Sequence, residues 1–156
     1  MFRRASRSRL DRSLAAVEIP ALGLWMGALL GFAFIFAPRA FHIVADVTQF
    51  AALTATNLAI LAEVGYVSGA IAIVAAIVRS RDAADRTNDI IRIGLILIAL
   101  ALVGIQSATI IPAMTAAQDV HSAAYHDLHA RSTAVYGGVV LLGFAALIMA
   151  AVRGED

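Results

Sequence analysis

The sequence contains no cysteine and few charged residues, and both absences restrict what the protein can be. Without cysteine, the chain cannot form a disulfide framework, a thiolate nucleophile or a cysteine-ligated zinc or iron-sulfur site. Only 15% of its 156 residues are charged, whereas 61% are hydrophobic, and the mean hydropathy is +0.84. A chain this short has too much surface for its volume to hide so many apolar residues in water. These values exclude an ordinary soluble enzyme and predict an integral membrane protein in contact with the lipid bilayer.

Four apolar runs have the length that a helix needs to cross a bilayer. A helix rises about 1.5 Å per residue, so about 20 residues span a hydrocarbon core of about 30 Å. The runs cover residues 19–37, 58–78, 93–111 and 133–152, and they are closed by Pro38, Arg79, Pro112 and Arg153. We predict an all-α polytopic membrane protein, a bundle of four transmembrane helices. An arginine-rich segment at 1–18 precedes this single domain at 19–153, and a short tail follows at 154–156.

All basic residues are arginines, and their positions predict the orientation. Ten of the 12 lie before the first run, between the second and third, or after the fourth, and only Arg39 and Arg131 lie on the other side. By the positive-inside rule, both termini are cytoplasmic, and the connections 38–57 and 113–132 are outside. The location is the cytoplasmic (inner) membrane if the protein is bacterial. Because the first run is longer than the hydrophobic region of a signal peptide, we expect an uncleaved helix.

Glycines on the first two runs form strips without side chains. Gly23, Gly27 and Gly31 are spaced by four residues, as are Gly65 and Gly69, so each set lies on one face of its helix. Such strips let helix backbones approach closely. We expect the first two helices to cross tightly and the first strip to pack within the chain. Self-association through the glycine faces, or packing against other membrane subunits, is the alternative.

Polar side chains converge on the predicted outer end of the bundle. Glu63 and Gln106 each lie six residues inside the outer boundary, about 9 Å deep. His129, Ser132 and Tyr136 begin the fourth helix at a similar level and share one face. A charge inside a span costs about 2.5 to 3.5 kcal/mol on insertion scales. We therefore expect Glu63 to face the bundle interior near His129 and Tyr136 and to matter most for function.

All four histidines fall on the predicted outer side, where they are candidate metal ligands. Neutral imidazole binds transition metals well, and a carboxylate can complete the ligand shell. The predicted ligands are His42, Glu63, His126 and His129, with copper or another transition metal as the cofactor. Haem held between His42 and His129 is a narrower version of this hypothesis. In the alternative, His129 caps a helix or forms a hydrogen bond between helices, whereas His121 and His126 are solvated loop residues.

The sequence offers no readable catalytic centre. Ser132 follows His129 by three residues, and Asp127 is nearby, as a serine hydrolase would require. However, the sequence has no strained turn that would expose the serine and no recognisable oxyanion hole. Every glycine pair lies inside an apolar helix, which argues against a phosphate-binding loop. The arginine cluster is explained by orientation, so we expect no nucleic-acid partner. We expect a protein that is not an enzyme, with a membrane hydrolase or oxidoreductase as the weaker alternative.

Several short motifs, in a fixed order along the chain, match those of a known membrane family. They are Trp25-Met26-Gly27, then Phe32, Phe34, Ala37-Pro38 and Phe41, then Pro112 ending the third helix, and Leu128-His129-Ala130-Arg131-Ser132 opening the fourth. In these motifs the chain resembles the transmembrane protein 205 family over most of its length from Trp25 onward. Tyr136 departs from the family pattern, which has asparagine there. The resemblance implies a four-helix membrane domain of unknown function, with looser kinship to copper-resistance and haem-synthesis membrane proteins.

Two classes of function remain open from the sequence. In the first, a small membrane protein binds or passes a ligand, such as a metal ion or cofactor, at its outer end. His42, Glu63, His129 and Tyr136 would then carry the site. In the second, the protein is a non-catalytic structural or accessory subunit of a larger membrane complex, and its polar residues serve helix association.

The predicted orientation can be tested with reporter fusions. Because ten of 12 arginines lie on one side, reporters fused at the C terminus and at Ala117 should report opposite sides of the membrane. Signals from the same side would contradict the predicted topology.

Overall fold

A computed structural model describes residues 2–81, 86–117 and 119–152, with side chains from residue 11 onward. These residues form helices joined by short connections, without any strand. In chain order the helices are α1 (Phe2–Gly31), a π-helical turn (Phe32–Phe36), α2 (Ala37–Ile43), α3 (Val47–Ser80), α4 (Thr87–Ile105), a second π-helical turn (Gln106–Ile110), α5 (Ile111–Ala116) and α6 (Ala123–Val152). The predicted tail at 154–156 lies outside the described residues.

Among the described residues, four continuous helical spans are long and apolar enough to cross a membrane, which confirms the predicted architecture. They are Asp11–Ile43, Val47–Ser80, Thr87–Ala116 and Ala123–Val152. The first span comprises α1, the first π turn and α2, and the third comprises α4, the second π turn and α5. The helices are longer than the apolar runs, because hydropathy identifies the part suited to hydrocarbon whereas a helix can continue into the interface. The connections at the predicted outer end are accordingly short, at 44–46 and 117–122.

The first and third spans continue through the prolines at which the sequence predicted their ends. Proline lacks the backbone N–H and its ring crowds the carbonyl four residues earlier, so it usually breaks or kinks a helix. Here each proline, Pro38 and Pro112, follows a π-helical turn of five residues. A π turn widens the helix and shifts its hydrogen-bond partners. The prediction that both helices end at proline is therefore wrong.

The four spans pack in a ring, in which each contacts two neighbours. The first span packs on α3, α3 on α4, α4 on α6, and α6 on α1. The core between them is filled mainly by large side chains of α1, of which Leu22, Trp25 and Met26 are almost fully buried. Small residues of α3 and α6 complete it, so the large side chains of α1 have room between the helices.

The two predicted glycine strips behave differently. A Cβ built on Gly65 would lie 2.7 Å from Trp25 Nε1, and one on Gly69 would lie 2.8 Å from Leu100 Cδ2. Both glycines therefore make room for a neighbouring helix, and Gly65 lets α1 approach α3 as predicted. A Cβ on Gly23, Gly27 or Gly31 would meet no heavy atom within 4 Å. The expectation that this first strip packs within the chain is wrong, because Trp25 and its core neighbours occupy a different face of α1.

Matched glycine-to-alanine variants test this packing. In Gly65→Ala the new methyl meets the buried, rigid indole of Trp25, and overpacking of this kind typically costs about 1 to 3 kcal/mol. Gly27→Ala adds the same methyl in open space, where the higher helix propensity of alanine favours the fold by up to about 1 kcal/mol. We expect thermal unfolding in detergent to show a lower melting temperature for Gly65→Ala alone. Equal melting temperatures would contradict the packing role of Gly65.

Candidate functional site

Two polar residues predicted to cluster near the outer end do meet. Gln106 is fully buried, and its Nε2 donates a hydrogen bond to Ser132 Oγ across 2.5 Å. Tyr136 lies one turn beyond Ser132 on α6 and is half-buried. Its hydroxyl has no hydrogen-bond partner among the described residues. The third and fourth spans are thus linked by a polar contact, with an unpaired hydroxyl beside it.

Glu63 does not belong to this cluster. Its side chain is exposed on the outward surface of α3, so the prediction that it faces the bundle interior near His129 and Tyr136 is wrong. Between Ala62 and Ala76 the buried face of α3 is built from alanine, glycine and serine, which lets α1 and α4 approach closely. A glutamate on that face would hold the helices apart and would need a buried partner. Glu63 instead lies at membrane depth on the surface of the bundle.

The histidines do not form a metal centre with their predicted partners. His42, His126 and His129 are exposed, and across the described ranges no three His, Asp or Glu side chains are grouped to hold a metal ion. His121 is also exposed, and its backbone N–H donates to Asp119 Oδ1 at 2.9 Å. The His129 ring stacks on Tyr125, with centroids 6.5 Å apart and planes 5° from parallel. This pair stands at the rim of a cavity.

The cavity occupies the predicted outer half of the bundle and has a volume of about 1100 Å³. All four spans line it. Its residues from the first span and α3 are mostly apolar or small, including Leu29, Phe32 and Leu58. α6 contributes the polar side of the wall, with His129, Ser132 and Tyr136. This volume is slightly above the usual range for small-molecule sites, roughly 300 to 1,000 Å³.

The cavity is open to the surface at membrane depth. Phe34, in its wall, is 75% exposed, and Gly137 on the opposite wall is also exposed. Both residues lie within membrane-crossing spans. Part of the cavity lining is therefore exposed on the surface of spans that are apolar enough to cross a membrane.

Polarity changes along the depth of the cavity. Tyr125 and His129 line it near the start of α6, at the predicted outer end, whereas Val140 on α6 and Leu29 on α1 are the lining residues farthest along their helices from that end. From His129 to Tyr136, α6 descends seven residues, or about 10 Å. Thr54, on the opposite wall, also has a hydroxyl without a hydrogen-bond partner among the described residues. The cavity thus joins an apolar floor to a wall that offers hydrogen bonds.

A second site, at the predicted cytoplasmic end, is a buried cluster of charges. Its members are Asp11, Glu18, Arg79, Asp89 and Arg92. The side chains of Glu18, Arg79, Asp89 and Arg92 are no more than 2% exposed. Asp11, at 41% exposed, forms the edge that reaches solvent. The cluster connects α1, α3 and α4.

Glu18 is the centre of this ionic cluster. Its Oε2 accepts from Arg79 Nη1 at 2.6 Å, and its Oε1 lies 2.9 Å from Arg92 Nε. Arg79 also pairs through Nε with Asp11 Oδ1 at 3.1 Å, and Arg92 pairs through Nη2 with Asp89 Oδ1 at 3.1 Å. Because each carboxylate oxygen of Glu18 faces a different arginine, one side chain of α1 fastens two other helices.

The ionic cluster is not among the features predicted from the sequence, because the arginines were assigned to orientation alone. Glu18 lies one residue before the first apolar run, and Arg79 and Arg92 immediately flank the second and third. The sequence does contain a signal for the ionic cluster. One apolar run has a glutamate at its boundary, and two other runs have arginines at the boundary on the same side of the membrane. When the spans are assembled with both termini on one side, these three side chains must lie at the same end of the bundle.

Neutralising Glu18 tests the cluster. Glu18→Gln leaves two arginines buried without their shared carboxylate, and breaking a buried ion pair typically costs about 3 to 5 kcal/mol. As a control, Asp127→Asn breaks the exposed pair between Asp127 and Arg131, which contributes little because water screens it. We expect Glu18→Gln to lower the melting temperature strongly, and Asp127→Asn to leave it unchanged. Similar melting temperatures for the two variants would contradict this role.

Comparison with known proteins identifies a family, but no curated protein and no solved structure. A family model described as a domain of unknown function, DUF4149, matches residues 21–123. This stretch runs from the first span through the third and stops at the start of α6. No curated protein and no solved structure matches the chain. Because the match covers more than half of the sequence, the chain belongs to the DUF4149 family of domains of unknown function.

Proposed function

We propose that the protein binds a single-chain amphiphile from the bilayer, a molecule with one long apolar chain and an uncharged, hydrogen-bonding head group. The observation that carries this proposal is the cavity of about 1100 Å³ lined by all four spans. Its floor is apolar, its α6 wall is polar, and its opening lies at membrane depth. A ligand that matches all three features has a hydrocarbon tail and a polar head, and it arrives through the membrane.

The chemistry of the wall favours an uncharged head group. Among the residues that line the cavity there is no arginine, aspartate or glutamate. Its polar groups are hydroxyls and the His129 imidazole, which serve a head group that both donates and accepts hydrogen bonds. The unpaired hydroxyls of Thr54 and Tyr136 are suitable partners. The deepest residues, Leu29 and Val140, would pack against the apolar chain.

This proposal keeps the outer-end ligand site of the sequence analysis but changes its ligand. A metal ion or haem would need ligands that converge, whereas the side chains of His42, Glu63 and His126 do not line the cavity. His129 is the one member of that predicted set which does. Its role here is to bind a head group, so the proposal includes no catalytic step. The narrower kinship with the transmembrane protein 205 family stays a prediction from the sequence motifs and adds no ligand.

The alternative role, a structural subunit of a larger membrane complex, is favoured by one observation. Glu63 presents a carboxylate on the outward surface of α3, at a depth where lipid offers no partner. Such a group is typical of a surface that contacts protein. This role and ligand binding involve different faces of the molecule, and each can be tested by itself.

Photolabelling tests the ligand. The protein, reconstituted in phosphatidylcholine vesicles, is exposed to a hexadecanol analogue that carries a diazirine on its chain. We expect labels to concentrate on the cavity segments 29–37 and 136–140. Gly137→Leu should suppress that labelling, because its side chain enters the cavity from a position where an added Cβ meets nothing within 4 Å.

Gly94→Leu is the matched control. A Cβ added on Gly94 also meets nothing within 4 Å, but Gly94 does not line the cavity. It should label like the natural protein. If labels are distributed evenly over outward residues such as Leu97 and Leu141, and Gly137→Leu changes nothing, the proposed ligand site is wrong. Stable co-purification of another membrane protein together with that even labelling would favour the structural role.

A further inference from the structure

We infer that the head group of the ligand includes an uncharged carbonyl oxygen, as in an ester or amide of a fatty acid, and that this oxygen accepts a hydrogen bond from the hydroxyl of Ser132. Gln106 is the positioning residue that keeps this hydroxyl available as a donor. The inference rests on the proposed function, because it names the chemistry of the head group that binds in the same cavity.

Three threonines in the cavity wall already use their hydroxyls inside their own helices. The hydroxyls of Thr56, Thr115 and Thr133 each donate to the backbone carbonyl four residues earlier, at 3.0 Å. Such bonds are common for serine and threonine within a helix. Ser132 also lines the cavity and lies beside Thr133, but no described residue accepts a hydrogen bond from its hydroxyl. Its proton is therefore available to a molecule in the cavity.

Gln106 explains why Ser132 differs from these threonines. The Gln106 side chain is fully buried in the second π-helical turn, and it does not line the cavity. Its Nε2 donates to Ser132 Oγ at 2.5 Å, so this oxygen already serves as an acceptor. A hydroxyl that accepts one hydrogen bond becomes a stronger donor for a second, because linked hydrogen bonds polarise one another. Gln106 thus prepares Ser132 to donate.

A carbonyl oxygen is the group that fits this donor. It accepts hydrogen bonds but has no proton of its own, so it leaves no unpaired donor against the apolar part of the wall. A carboxylate would also accept, but no arginine lines the cavity to balance its charge. Esters and amides of fatty acids combine an uncharged carbonyl with a long apolar chain. They are therefore the ligand class that we infer.

Competition against the diazirine-bearing hexadecanol analogue tests the carbonyl. The protein is reconstituted in vesicles of ether-linked phosphatidylcholine, so that the bilayer supplies no ester carbonyl. The competitors are methyl hexadecanoate and methyl hexadecyl ether, which have nearly the same shape, but only the first has a carbonyl. We expect the ester to displace the label from segments 29–37 and 136–140 at about fivefold lower concentration than the ether, the effect of one hydrogen bond.

Matched variants assign this hydrogen bond to Ser132. Ser132→Ala should abolish the fivefold preference for the ester. Thr133→Val should keep it, because the Thr133 hydroxyl donates to its own helix although it lines the same cavity. Gln106→Met keeps a long side chain but removes the amide, so the Ser132 hydroxyl can turn back to its own helix and the preference should weaken.

Infrared difference spectroscopy reads the same bond directly. A hydrogen bond lowers the stretching frequency of a carbonyl, which is followed here in methyl hexadecanoate with an isotope-labelled carbonyl carbon. We expect the frequency of the bound ester to rise in Ser132→Ala and in Gln106→Met, and to stay unchanged in Thr133→Val. A merely structural role of Gln106 would lower the amount of bound ester without moving this frequency.

Several results would overturn the inference. They are equal displacement by ester and ether, a preference that persists in Ser132→Ala, or a preference that is lost only in Thr54→Val. In each of these cases the hexadecanol label still enters the cavity segments, so the proposed function stands. Even labelling over the outward residues would instead reject both. If Gln106→Met does not fold, the comparison of Ser132→Ala with Thr133→Val decides alone.

Discussion

One buried carboxylate, Glu18, determines how this bundle is held together. By binding Arg79 with one oxygen and Arg92 with the other, it ties α1, α3 and α4 at the predicted cytoplasmic end. Asp89 lies in the first turn of α4, where the helix dipole favours a negative charge, and it orients Arg92 for this contact. Desolvation offsets much of the attraction within a buried ion pair, but removing one partner leaves an uncompensated buried charge. The cluster therefore links three of the four spans at one end of the bundle, and α6 joins them through its packing on α1 and α4.

The two ends of the molecule differ as a result. Towards the ionic cluster, large side chains of α1 such as Trp25 pack against the small residues of α3 and α6, and the bundle is closed. Towards the other end, the first span passes through a π turn and Pro38, and the spans enclose a cavity instead of a core. The polar link between Gln106 and Ser132 holds the third and fourth spans together beside that cavity. A tightly joined end thus supports an open end, which holds the cavity.

The sequence predicted the four spans correctly because their length and apolarity follow from the thickness of the bilayer alone. It also placed Gln106 and Ser132 at one level, since helix rise fixes depth. Depth does not fix the direction of a side chain around the helix axis, which explains the wrong prediction for Glu63. That direction depends on which face of α3 carries residues small enough to pack against other helices. The positions of its alanines and glycines show which face this is. The continuation of the helices past Pro38 and Pro112 coincides with π turns, which the pattern of hydropathy does not reveal.

The ionic cluster also has a consequence for the order in which the protein is made. Glu18 is synthesised 61 residues before Arg79, and Arg92 follows later still. While the first helix enters the membrane, the Glu18 carboxylate has neither of the arginines that later surround it. The final arrangement of α1 is therefore reached only after Arg92, in the second turn of the third span, has left the ribosome. A nascent chain that stops after two spans contains Arg79 but not Arg92, so it lacks one of the two ion pairs that hold Glu18 and the first helix.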